Sequence, residues 1–319
     1  MSGTQRGKIS FLELVFPPLS NQEAFQFKDQ PAANFMRKSD FYMIGGKPKS
    51  KFHNYSICED NNLIITFDIY VGDDLKSSGS MDIKSLVAVK SSSVNNFDVG
   101  MNENSIEIFY KKNGSKYFIE RFTPENILWH RSRKAEGIIG LDNYEELLCY
   151  DLLYVGIAKK GDSYDRLIKN GHHARLDILS NEPQRYPGAR VTDEIFLFLF
   201  RIEPLFLTIF GADSEIDLDF DYDHKKIVAD AEKAFVSLLQ PNYNTVKFQN
   251  YPKGADGLFN SKLDRYVYSI GEALTFNTPH GKMKGNRDGL LGGLTNKADF
   301  IFVDKQSSQL FISGEDFEA

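Results

Sequence analysis

Residues 231–244, AEKAFVSLLQPNYN, read as the end of an amphipathic helix that stops before Pro241. At about 100° per residue its apolar side chains share roughly a third of the helical circumference, and they are Val228, Ala231, Phe235, Leu238 and Leu239. Glu232 lies inside or at the edge of the same arc. An unpaired buried charge is very costly, so this carboxylate must be paired, protonated or bound to a metal ion. An ion pair, or a boundary position that reaches solvent, is the purely structural interpretation.

Composition limits the classes of protein that this chain can belong to. Its 319 residues are 41% hydrophobic, which allows one large domain or several smaller ones. No apolar run is long enough to predict a transmembrane helix, and the amino terminus lacks a hydrophobic signal region. Cys58 and Cys149 lie far apart and do not suggest a disulfide framework, so a cytoplasmic location is expected. The net charge of −6 argues against a general nucleic-acid binder, so any such contact must come from a local basic patch.

The pattern of apolar residues predicts an α+β chain in three parts. Residues 1–125 are predicted to form a β-rich module of unknown role, with strands at 8–16, 63–71, 85–90 and 105–122 and loops at 77–80 and 91–96. Asn113-Gly114 between two apolar runs predicts a β-hairpin. Residues 253–319 are predicted to form a second β-rich module, in which strands alternate with glycine-rich turns.

The middle part, residues 126–252, mixes helix and strand. Its predicted elements are a short capped helix after Asp142, a strand at 152–158, a helix at 163–170 that ends or kinks at Gly171, a buried strand at 194–200 and a helix at about 226–239. Chemistry-bearing residues stand on these elements in a fixed order: YVG (154–156), then Arg166, then His172-His173, then Ala231-Glu232, then PNYN (241–244).

This order resembles the GIY-YIG nuclease superfamily, and most closely the nuclease domain of the UvrC repair subunit. Tyr154 and Arg166 are 12 residues apart, two more than is usual in the family, and Glu232 and Asn244 are 12 apart, as in the UvrC-like type. The interval of 66 residues between Arg166 and Glu232 exceeds the family's, so we expect an insertion at about 181–225. The resemblance implies a central GIY-YIG-like αβ core flanked by the two β-rich modules.

The resemblance also implies roles for single residues. Arg166 would bind the scissile phosphate through its bidentate guanidinium. Glu232 would hold one divalent metal ion, Mg²⁺ or Mn²⁺, whose other ligands are water and phosphate. Tyr154 would position or activate the attacking water, and Asn244 would brace the site. His173 or His172 would act as general acid–base or contact the phosphate, with His173 favoured if the helix continues through Gly171.

Further residues are expected to contact the substrate. They are Gly156, Lys159, His172, and the arginines Arg131 and Arg133 of a local basic patch at 129–134. The site residues also have purely structural alternatives. Tyr154 would be a core aromatic, Arg166 and Glu232 would form a buried ion pair, and the two histidines would be surface residues.

One departure from the family concerns its first tyrosine, which lies on a strand about ten residues before the second. Tyr144 has this spacing, but its context NYEELL predicts a helix. The stretch GIIG (137–140) would supply the strand, with Ile139 where the tyrosine belongs. Absence of this tyrosine would call the activity into question more than the fold.

Two other stretches carry weaker signals. EIDLDFDYD (215–223) has the acidic spacing of a calcium loop but lacks its glycine and its final glutamate, so a strand with one acidic face is expected. HGKMKGNRDGLLGG (280–293) has no Walker A signature and is expected to form a surface loop.

Together these features lead to two functional hypotheses. The first is a metal-dependent endonuclease that cleaves DNA in preference to RNA, a chemistry compatible with phage defence. Its flanking modules would supply recognition, a protein partner or a homo-oligomer contact. The alternative is a catalytically degenerate GIY-YIG-like protein that binds nucleic acid, or acts as a sensor or interaction protein.

Overall fold

The computed structural model describes residues 4–28, 30–58, 63–73, 75–92, 97–210 and 222–317. The protein is an α+β chain that divides into two compact units. Unit 1 comprises Met1–Lys47, Tyr150–Pro183 and Arg190–Ala319, and unit 2 comprises Pro48–Cys149 and Gln184–Ala189. Most of unit 2 is therefore one insertion in the chain of unit 1, between Lys47 and Tyr150.

The strands of unit 1 form one ten-stranded sheet. In chain order they are β1 (Gln5–Leu14), β2 (Leu19–Ser20), β3 (Phe41–Gly46), then, after the strands of unit 2, β11 (Cys149–Ile157), β12 (Ile195–Ile209), β13 (Arg265–Ile270), β14 (Thr275–Thr278), β15 (Gly281–Lys284), β16 (Phe300–Asp304) and β17 (Ser308–Phe311). The order across the sheet is β15-β14-β11-β3-β12-β1-β13-β16-β17, with β2 paired to β12. β1 and β13 run parallel, and β3 lies antiparallel between β11 and β12.

The strands of unit 2 form two smaller antiparallel sheets. They are β4 (Ser50–Ile57), β5 (Ile64–Val71), β6 (Leu75–Asp82), β7 (Phe97–Met101), β8 (Ile106–Lys112), β9 (Ser115–Phe122) and β10 (Ile138–Gly140). One sheet has the order β10-β6-β5-β4 and the other the order β7-β8-β9. The predicted hairpin is confirmed: Lys112 pairs with Ser115, and Asn113 and Gly114 both have positive φ angles, as a two-residue hairpin turn requires.

Eight helices accompany the sheets in the described part of the chain: α1 (Asn21–Gln26), α2 (Ala33–Met36), α3 (Val87–Ser91), α4 (Pro124–Ser132), α5 (Tyr144–Leu147), α6 (His173–Asn181), α7 (Val191–Glu194) and α8 (His224–Leu239). A π-helical turn over Asp165–Lys169 precedes α6. None of the helices in the described ranges combines the length and apolar character needed to cross a membrane.

Helix α8 is the long amphipathic helix that its sequence predicts. The side chain of Asp223 caps its first turn by accepting from the Lys225 amide, and Gln240 ends it in the left-handed conformation just before Pro241. Its buried face packs on the sheet, where Phe235 meets Phe41 of β3 edge to face at 5.7 Å between ring centroids.

A second apolar cluster uses the neighbouring residue of β3, because successive side chains of a strand point to opposite faces. Tyr42 and Ile44 pack there with residues from β12, from the π-helical turn and from α6, including Leu197, Leu167 and Ile178. The strand β3 is buried along its whole length and anchors both layers.

The predicted three-part division differs from the observed one. β1 and β3 of the first 125 residues, and β13 to β17 of the last part, share a single sheet with β11 and β12. The expected insertion at 181–225 contains β12, which pairs with both β1 and β3, so Ile195–Ile209 belongs to the sheet. The acidic stretch 215–223 falls largely on residues 211–221, outside the described residues.

Three local predictions were wrong. Residues 77–80 lie within strand β6, and residues 281–284 of the expected surface loop form β15. Residues 85–90 were expected to form a strand because they are rich in valine, but the short helix α3 occupies most of them. Tertiary pairing overrides local propensity in short segments of this kind.

Candidate functional site

The centre of the candidate site is a pair of tyrosines on the two adjacent strands β3 and β11. Gly156 of β11 stands opposite Tyr42 of β3, and Tyr154 stands opposite Ile44. The rings of Tyr42 and Tyr154 stack with 6.1 Å between centroids and an interplanar angle of 23°. A Cβ added to Gly156 would lie 2.7 Å from atoms of both rings, so only glycine allows the two rings to approach this strand so closely.

Arg166 reaches the tyrosine pair from the π-helical turn after β11. Its Nε donates a hydrogen bond to the Tyr42 hydroxyl at 3.0 Å. The turn is held by Arg37, which pairs with Asp162 at 3.0 Å and with Asp165 at 2.8 Å. Arg175 of α6 also donates to the Leu167 carbonyl at 2.7 Å. These contacts fix the backbone that presents the guanidinium.

His172 completes a hydrogen-bonded chain with Tyr42 and Arg166. Its Nε2 lies 3.1 Å from the Tyr42 hydroxyl and 3.4 Å from an Nη of Arg166. A guanidinium can only donate, so Nε2 is assigned as the acceptor and the Tyr42 hydroxyl donates to it. The proton of the imidazole then sits on Nδ1, which is buried and finds no acceptor among the described residues. A buried donor of this kind calls for a partner that the described residues do not supply, such as an ordered water.

Burial sets the protonation states of this chain. Burial, followed by the interaction with Tyr154, raises the pKa of Tyr42 well above its usual range. Burial and the charge of Arg166 lower the pKa of His172 to about 4. At neutral pH the tyrosine therefore keeps its proton and the imidazole is uncharged, while Arg166 stays cationic.

Glu232 of α8 brings a carboxylate to the same group of residues. Burial is the largest influence on its pKa and raises it to about 7, against the opposing effect of Lys159 and Arg166. Glu232 in turn raises the pKa of Tyr154, after the larger effect of burial. No hydrogen bond or ion pair to the Glu232 carboxylate exists within the described ranges, so the ion pair with Arg166 that the sequence left open is not formed.

The open carboxylate suits one divalent cation. Hard cations take oxygen ligands, and the oxygens of Glu232 have no competing hydrogen-bond donor in the described part of the chain. No group of three or more His, Cys, Asp or Glu that could hold a metal ion occurs among the described residues. A metal ion at Glu232 would therefore have a single protein carboxylate and would need to complete its shell with water and substrate oxygens.

Asn244 braces the strand that carries Tyr154. Its Oδ1 accepts from the Val155 amide at 2.9 Å and its Nδ2 donates to the Val155 carbonyl at 2.8 Å. The neighbouring Tyr243 amide also donates to the Leu153 carbonyl at 3.1 Å. The PNYN segment therefore binds the backbone of β11 on both sides of Tyr154.

The two histidines lie in different surroundings. His173 is exposed and pairs with Asp177 one turn further along α6, at 2.7 Å. His172 is the histidine that hydrogen-bonds Tyr42. The physical reason is Gly171: its positive φ ends the π-helical turn, so the two helical segments are not continuous.

Other expected substrate contacts lie in different places. Lys159 is exposed just after β11, and its charge acts to lower the pKa of Glu232 against the larger effect of burial. Gly156 is buried beneath the tyrosine rings, so it serves their approach to the strand. Arg131 and Arg133 belong to unit 2, where Arg131 donates to the Gly140 carbonyl and Arg133 stacks on Trp129.

The residue that sequence reasoning missed is Tyr42. The family spacing places the partner tyrosine about ten residues before Tyr154. Strand β3, which pairs with β11, precedes the whole of unit 2. Tyr144 begins the short helix α5 of unit 2, and Ile139 lies on β10 of unit 2. The signal that would have found Tyr42 is the apolar stretch FYMIGG at 41–46, which predicts a buried strand and carries a tyrosine.

Comparisons of this chain with models of protein families, with curated proteins and with solved structures returned no match.

Proposed function

We propose that this protein is a metal-dependent endonuclease of the GIY-YIG type that hydrolyses phosphodiester bonds in DNA. The observation that carries this proposal is the convergence of Tyr42, Tyr154, Arg166 and His172 beside the open carboxylate of Glu232. A cation, a hydroxyl chain and a metal-competent carboxylate at one place are the groups that phosphoryl transfer needs.

Tyr42 supports an active enzyme over a degenerate one. It stands on the strand that pairs with the YVG strand, and we assign it the part of the family's first tyrosine. The larger spacing from Tyr154 then has a simple cause, because most of unit 2 is inserted between the two strands. A missing first tyrosine is then no longer an argument for the non-catalytic alternative, which keeps the net negative charge in its favour.

The residues of the chain have distinct tasks in the proposed reaction. Arg166 neutralises charge on the scissile phosphate and orients the Tyr42 oxygen through its Nε. Neutral His172 accepts from the Tyr42 hydroxyl, which leaves a lone pair of the Tyr42 oxygen free to position a water. Mg²⁺ or Mn²⁺ held by Glu232 would supply Lewis-acid stabilisation of the charge that develops on the phosphate.

Unit 2 is proposed to supply recognition, a protein partner or a self-association contact. Its two arginines that were expected to bind phosphate already have partners within the unit. DNA contacts near the reacting phosphate are therefore assigned to the cations of unit 1, Lys159 and Arg166.

A cleavage assay tests the proposal. The intact protein should cut plasmid and single-stranded DNA only when Mg²⁺ or Mn²⁺ is present. Glu232→Gln, Arg166→Ala and Tyr42→Phe should each lower the rate by about 100-fold or more, because each removes a group that acts at the reacting phosphate.

Matched variants serve as controls. Tyr144→Phe and Glu315→Gln make the same chemical changes away from the site and should cleave like the unaltered protein. Cleavage by the three site variants at the rate of the unaltered protein would refute the site assignment. Salt-sensitive DNA binding without cleavage under any metal would favour the non-catalytic alternative.

A further inference from the structure

A pocket of about 480 Å³ lies beside the candidate site, where residues 246–256 fold back against α8. Its lining includes Lys233, Lys247 and Lys253, together with Phe248, Tyr251 and Asp256. Three lysines and one aspartate line it, so the balance of charge favours negatively charged groups.

The wall of the pocket is fixed from below by a buried carboxylate. Asp230 of α8 is fully buried and accepts hydrogen bonds from the hydroxyls of Tyr251 and Tyr268, both at 2.8 Å. It also accepts from the Leu258 amide at 2.7 Å. These bonds hold Tyr251 and Leu258 to α8, and the lining residues Lys253, Gly254 and Asp256 lie between them. Contacts within unit 1 therefore set the shape of the pocket.

The three lysines are not equally available. The Lys233 ammonium is almost buried and pairs with Asp256. The Lys247 ammonium donates to the carbonyls of Gln240 and Pro241 at the end of α8. Lys253 is exposed, and no hydrogen bond or ion pair to its ammonium occurs in the part of the chain that the structure describes. Lys253 is thus the cation with a free charge at the pocket.

The pocket lies next to the candidate site along α8. Lys233, which lines the pocket, directly follows Glu232 in the helix. The charge of Lys159 acts to lower the pKa of both Glu232 and Asp256, so Lys159 lies near the site and the pocket alike. An anionic chain that places one phosphate at Arg166 and Glu232 would reach the pocket with an adjoining phosphate.

We infer that this pocket holds the phosphate of a nucleotide next to the scissile one, so that the substrate is a polynucleotide strand gripped by more than one phosphate. Lysines combined with an aromatic ring are typical of surfaces that follow a single strand. Phe248 is half-buried, with its ring 6.0 Å from the Lys233 ammonium, and offers a face to the attached base. This inference rests on the proposed nuclease function.

The test compares Lys253→Gln with Lys262→Gln, which removes the same charge from an exposed lysine that does not line the pocket. Binding of a fluorescent single-stranded DNA is measured by anisotropy in EDTA, at a series of salt concentrations. Lys253→Gln should weaken binding about 3- to 10-fold. It should also make the negative slope of log K against log salt shallower by about 0.7, the value for one lost phosphate contact on a single strand. Lys262→Gln should leave both quantities unchanged.

A second arm uses DNA in which single phosphates are replaced by neutral methylphosphonates, one position at a time. One position should weaken binding to the unaltered protein but cause no further loss with Lys253→Gln. Equal behaviour of the two lysine variants, or a pocket that prefers a polyglutamate peptide to DNA, would overturn the inference. Failure of the nuclease proposal would show separately, as absence of cleavage by the unaltered protein with either metal.

Discussion

At the scale of single residues, the Glu232 carboxylate is kept where its charge is disfavoured. Burial raises its pKa from the ordinary 4.5 to about 7 against the opposing charges of Lys159 and Arg166, and no hydrogen-bond donor in the described ranges compensates. A group whose pKa is raised on folding binds its proton more tightly in the native state, so stability falls as pH rises through the interval between the two pKa values. At neutral pH this carboxylate therefore lowers the free energy of unfolding, as is common for carboxylates that bind a ligand.

Replacement of Glu232 by glutamine should therefore stabilise the metal-free protein in a pH-dependent way. We expect no difference in unfolding free energy from the unaltered protein near pH 4.5, and a gain of about 1–3 kcal/mol at pH 8, because the charge is then absent from the variant. Urea unfolding at both pH values in EDTA measures this. Glu315→Gln, at an exposed glutamate, should show no gain at either pH.

Metal ions give the complementary measurement. Mg²⁺ should raise the stability of the unaltered protein at pH 8 and leave Glu232→Gln unaffected, since a ligand that binds only the native state stabilises it. A gain for Glu232→Gln that is the same at pH 4.5 and pH 8 would contradict a raised pKa of the carboxylate.

At the scale of elements, local pattern was a good guide to which segments form helix or strand, but not to which strands pair. The hairpin β8–β9, the buried strand β12 and the helix α8 follow directly from their sequences, since each carries its own turn, periodicity or cap. The pairing of β3 with β11 could not be read in this way, because no turn joins them and strand pairing depends on the rest of the sheet. The candidate site follows the same pattern: the sequence pointed to Tyr154 of β11 and Glu232 of α8, which the structure places close enough to influence each other, but gave no reason to add Tyr42 of β3.

The segment after α8 illustrates how one side chain can complete an element. Replacing Asn244 by alanine should lower the unfolding free energy by about 2–4 kcal/mol, because it leaves the buried amide and carbonyl of Val155 without partners. Urea unfolding monitors the loss, and hydrogen exchange at Val155 should accelerate. Asn242→Ala, at an exposed asparagine of the same segment, is the control and should change little. Equal effects of the two substitutions would rule out the bracing role.

At the scale of the whole molecule, the chain joins two units whose cores are separate. Unit 2 leaves unit 1 after Lys47 and returns at Tyr150, and the strands at these points are paired, with Gly46 opposite Asp151. A connection this tight resembles the open end of a hairpin, which a turn of two residues can close. The sheet of unit 1 therefore does not need the inserted chain to bring Tyr42 to Tyr154.

Deletion of residues 48–149, with Asn-Gly in their place, should consequently give a folded unit 1. We expect a cooperative thermal transition and cleavage activity that still depends on Glu232, since Tyr42, Arg166 and His172 all lie outside the deletion. Loss of about tenfold or more in affinity for the natural target would accompany it if unit 2 supplies recognition. The matched control deletes the same residues in the Glu232→Gln background and should fold but not cleave. A deletion variant that folds yet has lost cleavage of every DNA would show that residues of unit 2 take part in the reaction itself.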